Sequence, residues 1–208
     1  MLALITAMTA YSLSMSLSPG PVNIAIASSG ARNGVRRTLP FVSGATIGFT
    51  LLLVAVGLSY EWLVEGMGPA MMALELLGAA FIVHMGWKIA NAGGAGDTGA
   101  QARAAPTFME GFLLQWMNPK AWIACAAGAA LFSQAASRST FALFATIYFT
   151  ICYLSLGAWA VLGQRMAVFL TSQQRVRLFN WAMGGLLIAS GTWMALPRIA
   201  GMLGRFIG

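Results

Sequence analysis

Long apolar stretches alternate with short polar connections along this chain, and six of the stretches are long enough to cross a bilayer, which takes about 20 residues each. They run from about Leu4 to Ser28, Thr38 to Leu58, Pro69 to Ala90, Phe108 to Phe132, Thr140 to Leu162 and Leu178 to Pro197. The expected fold is an all-α integral membrane protein with six transmembrane helices. Between the third and fourth stretches, Asn91 to Thr107 is rich in Gly and Ala and has no periodicity, so it reads as a flexible linker. It divides one membrane domain into two three-helix halves, residues 1–90 and 108–208.

Two of the six stretches cannot be continuous helices. Ser18-Pro19-Gly20-Pro21 interrupts the first and Asn118-Pro119-Lys120 the fourth. Proline removes a backbone donor and collides with the preceding turn, and glycine loosens what remains. In lipid a freed backbone group is costly, so such a break persists only where protein, water or a ligand satisfies it. One break alone is commonly a packing kink, because proline is frequent in membrane helices. Two breaks one hundred residues apart point to a site.

The halves are related in sequence. At an offset of one hundred residues, Phe41 to Gly57 aligns with Phe141 to Gly157 without a gap, and Phe41, Ala45, Thr46, Ile47, Phe49, Thr50 and Gly57 meet identical residues. The same offset lays Pro19 on Pro119. Internal duplication explains both matches. Three helices per half, an odd number, means the second half lies inverted relative to the first. Inverted repeats with broken helices near the pseudo-two-fold axis are a plan of secondary transporters, which hold substrate at the breaks.

Composition agrees with a bilayer setting: 59% of residues are apolar, 8% are charged, and mean hydropathy is +0.76. The net charge of +7 does not indicate nucleic acid, because the basic residues sit between apolar runs and form no patch interleaved with aromatics. Their placement indicates sidedness instead. Eight of them, Arg32, Arg36, Arg37, Lys88, Arg103, Arg165, Arg175 and Arg177, fall in odd-numbered loops, against three, Arg138, Arg198 and Arg205, elsewhere. Odd loops are thus expected in the cytoplasm and both termini in the periplasm. The apolar N-terminal run has no basic residues before it and no small-residue cleavage pattern after it, so it is expected to be retained as the first helix. Cys125 and Cys152 lie deep in apolar runs without partners at ligand spacing, so no disulfide, metal site or cofactor is expected.

The residues also carry a resemblance. Ser18-Pro19-Gly20-Pro21, the Gly34 to Arg37 turn, Gly44 and Gly48 in the second helix, the Gly78 to Ile82 and Trp87-Lys88 run, and Gly111-Phe112 leading to Asn118-Pro119-Lys120 resemble the LysE/RhtB-type amino-acid exporters over nearly the whole chain. The stretches from Pro21 to Ile24 and from Ala80 to Ala90 look closest to the branch exporting cysteine and O-acetylserine. This resemblance implies efflux of small amino acids across the bacterial inner membrane, powered by an ion gradient, the proton in the first instance. The alternative within the family is export of basic amino acids or of homoserine and threonine. The chain has no Walker-type loop, in keeping with a process that does not use ATP.

The breaks offer chemistry suited to a zwitterion. A half-helix restarting at Pro19 or Pro21 presents N–H groups, including those of Gly20, Val22 and Asn23, and the positive end of a dipole, which suit a carboxylate. The arriving half-helix ends in carbonyls near Met15 to Leu17, which suit an ammonium. Asn23 and Asn118 either add side-chain contacts or serve as interhelical glue. Lys120 either pairs with the substrate carboxylate or neutralises an acid such as Glu110. The expected substrate-binding set is therefore Pro19, Gly20, Pro21, Asn23, Asn118, Pro119 and Lys120.

Ionisable groups within spans are costly and invite a functional reading. Glu75 and His84 are the candidates for proton coupling, although Glu75 also fits a solvated anchor near the outer end and His84 a hydrogen-bonded packing residue. They are nine residues apart, on opposite faces and separated by roughly 13 Å along the helix. Lys88 reads as a snorkelling anchor. Small residues at Gly44, Gly48, Gly78, the Ala126 to Ala130 run, Gly157, Ala158, Gly184 and Gly185 suit close helix contacts, within a protomer or in a homodimer.

Two functions of other classes compete. A membrane electron conduit requires repeat-related cysteines, but the offset sets Cys125 against Ala25 and Cys152 against Leu52. A non-transporting assembly subunit requires polar surface outside the bilayer, and the loops here are short.

Overall fold

Both predicted interruptions are present as breaks in the helical ladder. A computed structural model describes residues 1–58, 68–91, 106–132 and 138–207, with the side chains of 68–75, 138, 194 and 197–207 outside the description. The described residues form seven α-helices: α1 Leu2–Leu17, α2 Pro21–Leu58, α3 Gly68–Ala90, α4 Phe108–Trp116, α5 Pro119–Phe132, α6 Arg138–Met166 and α7 Gln173–Ile207, with a 3-10 turn at Ala167–Phe169. No strand occurs among them. Most of the Asn91 to Thr107 linker, with Asp97 and Arg103, and the second loop, with Glu61 and Glu65, lie outside the described residues.

The first apolar stretch becomes α1 and the opening of α2. Ser18 ends α1 in an extended conformation (φ −60°, ψ 132°) while its N–H still bonds to Ser14 O at 3.1 Å. Pro21 then starts α2, and Pro119 likewise starts α5. A first helical position suits proline, since its missing N–H would have had no intrahelical partner.

The first connection differs from expectation. Instead of a loop after Ser28, α2 continues past Arg32 to a single non-helical residue, Gly34 (φ 74°, ψ 166°), and resumes as a second leg that runs to Leu58. Arginine is a good helix former, so the basic connection stays helical. The turn falls on the one residue that tolerates positive φ. Side chains clasp it: Ser29 and Thr38 hydroxyls lie 2.8 Å apart, Thr38 Oγ1 donates to Gly34 O at 2.9 Å, and Gln164 of α6 accepts from Val35 N–H at 2.6 Å.

Polarity is arranged as a bilayer requires. Ser12, Ser16, Asn23, Ser28, Ser29, Thr46, Gln115, Asn118 and Asn180 are buried, whereas Leu58, Ile123, Leu154, Val168 and Trp193 are largely exposed. Pro21–Leu58 and Ser139–Phe169 are each long and apolar enough to cross a membrane, while the breaks shorten Leu2–Leu17 and Pro119–Phe132.

Helix α2 packs along α6 and against α4, α3 packs on α7, and α1 packs on α6. Small residues make these contacts possible. A Cβ on Gly44 would strike the Phe108 carbonyl and one on Gly111 the Phe41 carbonyl, so the second leg of α2 and α4 touch backbone to backbone. Gly30 and Gly163 do the same for the first leg of α2 and α6, and Gly86 and Gly184 for α3 and α7. These contacts lie within one protomer, whereas Gly157 and Gly185 face open space.

Candidate functional site

The two breaks meet side by side, and a cavity of about 380 Å³, mouth included, opens where they meet. Met15, Ser16, Gly20, Val22 and Asn23 come from the first break, and Gln115, Asn118, Lys120, Ala121 and Ala124 from the second. Phe49 of α2 and Tyr148, Cys152 and Leu156 of α6 complete the wall. Rigid packing holds this wall: Phe49 and Tyr148 stack with centroids 4.4 Å apart, and Tyr11 of α1 donates its O–H to Ala124 O at 2.7 Å.

Each break uses the same device on its arriving half-helix. Asn23 Nδ2 donates to Ser16 O at 2.8 Å, and Trp122 Nε1 donates to Trp116 O at 2.7 Å. In both, a side chain from the first turn of the new half-helix reaches back to a carbonyl at the end of the old one, which would otherwise be orphaned.

The departing half-helices differ. At the second break Asn118 caps α5: its Oδ1 accepts from Lys120 N–H at 3.1 Å, and its carbonyl accepts from Ala121 N–H at 2.8 Å. At the first break Gly20 occupies the corresponding position and has no side chain to offer. Ile24 is the first residue whose N–H reaches a backbone carbonyl, that of Gly20 at 3.0 Å. The N–H groups of Val22 and Asn23 precede the ladder, at the positive end of α2 beside the cavity.

Lys120 joins the two breaks. Its ammonium donates to Ser18 O at 2.8 Å, Ser18 Oγ at 2.8 Å and Pro19 O at 3.1 Å. It does not neutralise Glu110. That carboxylate pairs with Lys88 of α3, and it accepts from Thr107 N–H at 2.7 Å as part of a capping box on α4. Lys88 is therefore an interhelical ion-pair partner.

Of the residues expected at the site, Gly20, Asn23, Asn118 and Lys120 line the cavity, whereas Pro19, Pro21 and Pro119 adjoin them in the chain and are not part of the wall. His84 is exposed on α3 and is not part of the cavity wall. Glu75 lies on α3 with its side chain outside the described residues. Ser16, Gln115, Phe49, Tyr148 and Cys152 were not expected. Their signals were present: Ser12 and Ser16 lie four apart on an apolar helix, as do Tyr148 and Cys152, and such spacing marks one face. The Ser16 hydroxyl is buried at the cavity beside Tyr148 and Cys152, with no hydrogen bond of good geometry to either.

A second cavity of about 460 Å³ lies between α2 and α3, lined in part by Ser28, Ser29, Arg32, Asn33 and Lys88. Both cysteines are free and buried. Among the described residues no group of three or more His, Cys, Asp or Glu side chains could hold a metal ion.

The described residues are almost entirely helical, bury serines and asparagines such as Ser12, Ser16, Asn23 and Asn118, and expose large apolar side chains such as Leu154 and Trp193, as in a membrane protein. The sequence profile of the LysE type translocators matches residues 13–196, and the chain belongs to that family. Similar curated proteins include a cysteine/O-acetylserine efflux protein of Klebsiella pneumoniae, 29% identical over 191 residues, which covers 89% of this chain and 93% of the relative. A cysteine/O-acetylserine efflux protein of Escherichia coli K12 is 36% identical over 121 residues, 56% of this chain and 59% of the relative. No solved structure matches the chain at a significant level.

Proposed function

We propose that this chain exports a small neutral amino acid, of the cysteine or O-acetylserine kind, across the bacterial inner membrane. The observation that carries the reading is the cavity at the meeting of the breaks. It places the uncapped start of α2, with donors for a carboxylate, beside the end of α1, where the Ser18 and Pro19 carbonyls that suit an ammonium are engaged by Lys120 of the cavity wall. Among the described residues of its wall Lys120 is the only charged one, a cation where a cationic side chain would need an acid. A neutral substrate is favoured over lysine or arginine on that ground, and the names of the relatives point the same way.

In this reading the six spans form two inverted three-helix repeats. The shared capping device supports it, as does the pairing of the third span with the sixth through Gly86 and Gly184. Pro21 and Pro119 are separated by ninety-eight residues, as are Gly86 and Gly184, two fewer than the offset that aligns Phe41 with Phe141. The odd loops face the cytoplasm, which puts the basic second cavity on that side, and both termini face the periplasm. Efflux is coupled to a proton gradient, with Glu75 as carrier. A counterflow screen of unlabelled amino acids in proteoliposomes tests the function. Cysteine, serine and O-acetylserine should stimulate uptake of labelled substrate while lysine and arginine do not; stimulation by the basic amino acids instead would refute the neutral assignment.

A further inference from the structure

The three hydrogens of the Lys120 ammonium have three acceptors, at 2.8 Å, 2.8 Å and 3.1 Å: the carbonyl and hydroxyl of Ser18 and the carbonyl of Pro19. An amino-acid substrate carries the same group, with the same charge and three donors. The carbonyls at the end of α1 form the negative pole that such a group seeks. The lysine passes over Gly20, where a Cβ would stand 3.1 Å from Nζ and 3.3 Å from Cδ, so side chain and cavity share this wall. The buried Ser16 hydroxyl lines the same cavity beside Tyr148 and Cys152 and provides a second polar group for a ligand.

We infer that Lys120 is a tethered stand-in for the substrate's ammonium: its Nζ fills the Ser18 and Pro19 acceptor site in the unloaded protein, and an incoming primary ammonium takes that site by displacing it. The inference rests on the reading of the cavity as the substrate site and adds how the site is kept satisfied when empty. Without the lysine, unloading would leave three oxygens without a protein donor at a part-buried helix end. With it, loading exchanges one ammonium for another at almost no net loss of hydrogen bonds. The displaced charge turns to the substrate carboxylate. A further consequence is that an amine lacking a carboxylate gains little by displacing the lysine.

The test uses no transported substrate, so it can fail while the export reading stands, and the reverse. Ethylammonium is titrated into the purified full-length protein and into Lys120→Met, with the thermal midpoint as readout. The variant should bind ethylammonium roughly tenfold more tightly than the wild type, or better, as expected for hydrogen bonds to a charged group that no longer faces an internal competitor. Tetramethylammonium, which has the charge but no N–H, should stabilise neither. If Lys120→Met accumulates poorly, ethylammonium in the solubilisation buffer should restore the folded yield. Lys120→Gln, whose amide can still reach one carbonyl, should show the same gain in smaller measure. Equal affinity in wild type and variants, or no restoration of yield, would overturn the inference.

Discussion

The ammonium of Lys120 lies 2.8 Å from the carbonyl oxygen of Ser18, a residue 102 positions earlier in the chain. This bond fastens the second helix break to the first, so the two interruptions form a single structure instead of two hinges. The cavity owes its position to that junction, with an end of α1 held by a lysine and a start of α2 left open.

The reach-back caps should carry measurable stability. Asn23→Asp puts an acceptor opposite the Ser16 carbonyl where a donor stood, at 2.8 Å in a buried setting. Unfolding in detergent should show a loss of about 1–3 kcal/mol, the cost of an unsatisfied buried group. Asn23→Asp as stable as the wild type would mean that the cap is incidental.

Trp122→Phe tests the equivalent cap on the second break. The ring should still pack edge-on against Trp116, where centroids now lie 6.4 Å apart, while the bond to the Trp116 carbonyl is lost. A loss of about 0.5–1.5 kcal/mol is expected by the same measurement. No loss would show that the two breaks are not maintained alike.

Much of this was legible in the sequence, and what was missed has identifiable causes. Pro19, Pro21 and Pro119 announced both breaks because proline acts on the backbone wherever it falls. The connection around Arg32 to Arg37 read as a loop because its charge ended the apolar stretch, yet hydrogen bonding does not require apolar side chains and only Gly34 leaves the helix. Lys120 was placed correctly beside a break, but its partners were not foreseen. Ser18 and Pro19 lie over one hundred residues away, and the pairing follows from how α1 and α5 are brought together. Glu110 was likewise claimed by Lys88 of the neighbouring helix.

The close helix contacts predict a sharp contrast among glycines. Gly44→Ala drives a methyl into the Phe108 carbonyl and Gly30→Ala drives one into the Ala160 carbonyl. Each should cost about 1–3 kcal/mol or prevent accumulation, because backbone cannot move aside as a side chain can. Gly157→Ala, with nothing within 4 Å, should be neutral or gain up to about 1 kcal/mol from helix propensity. Thermal midpoints that rank the three otherwise would contradict the packing described.

Coupling is tested at Glu75. Glu75→Gln should abolish gradient-driven efflux from proteoliposomes while substrate-for-substrate exchange persists, since exchange does not need the carrier to return empty. Efflux that is unchanged would remove Glu75 from the mechanism, and His84→Gln would then be compared in the same assay.

The central claim is that a small amino acid binds in the cavity with its carboxylate at the open start of α2, beside Val22 and Asn23. The most direct measurement is competition for labelled substrate on the purified protein by a free amino acid and by its methyl ester and amide, at equal concentrations. The esterified and amidated forms keep the ammonium and side chain but have lost the anion. They should compete at least tenfold less well, roughly the factor carried by one charge-assisted hydrogen bond. Ester and amide that compete as well as the free acid would contradict the account, because the N–H groups at the first break would then not be holding a carboxylate.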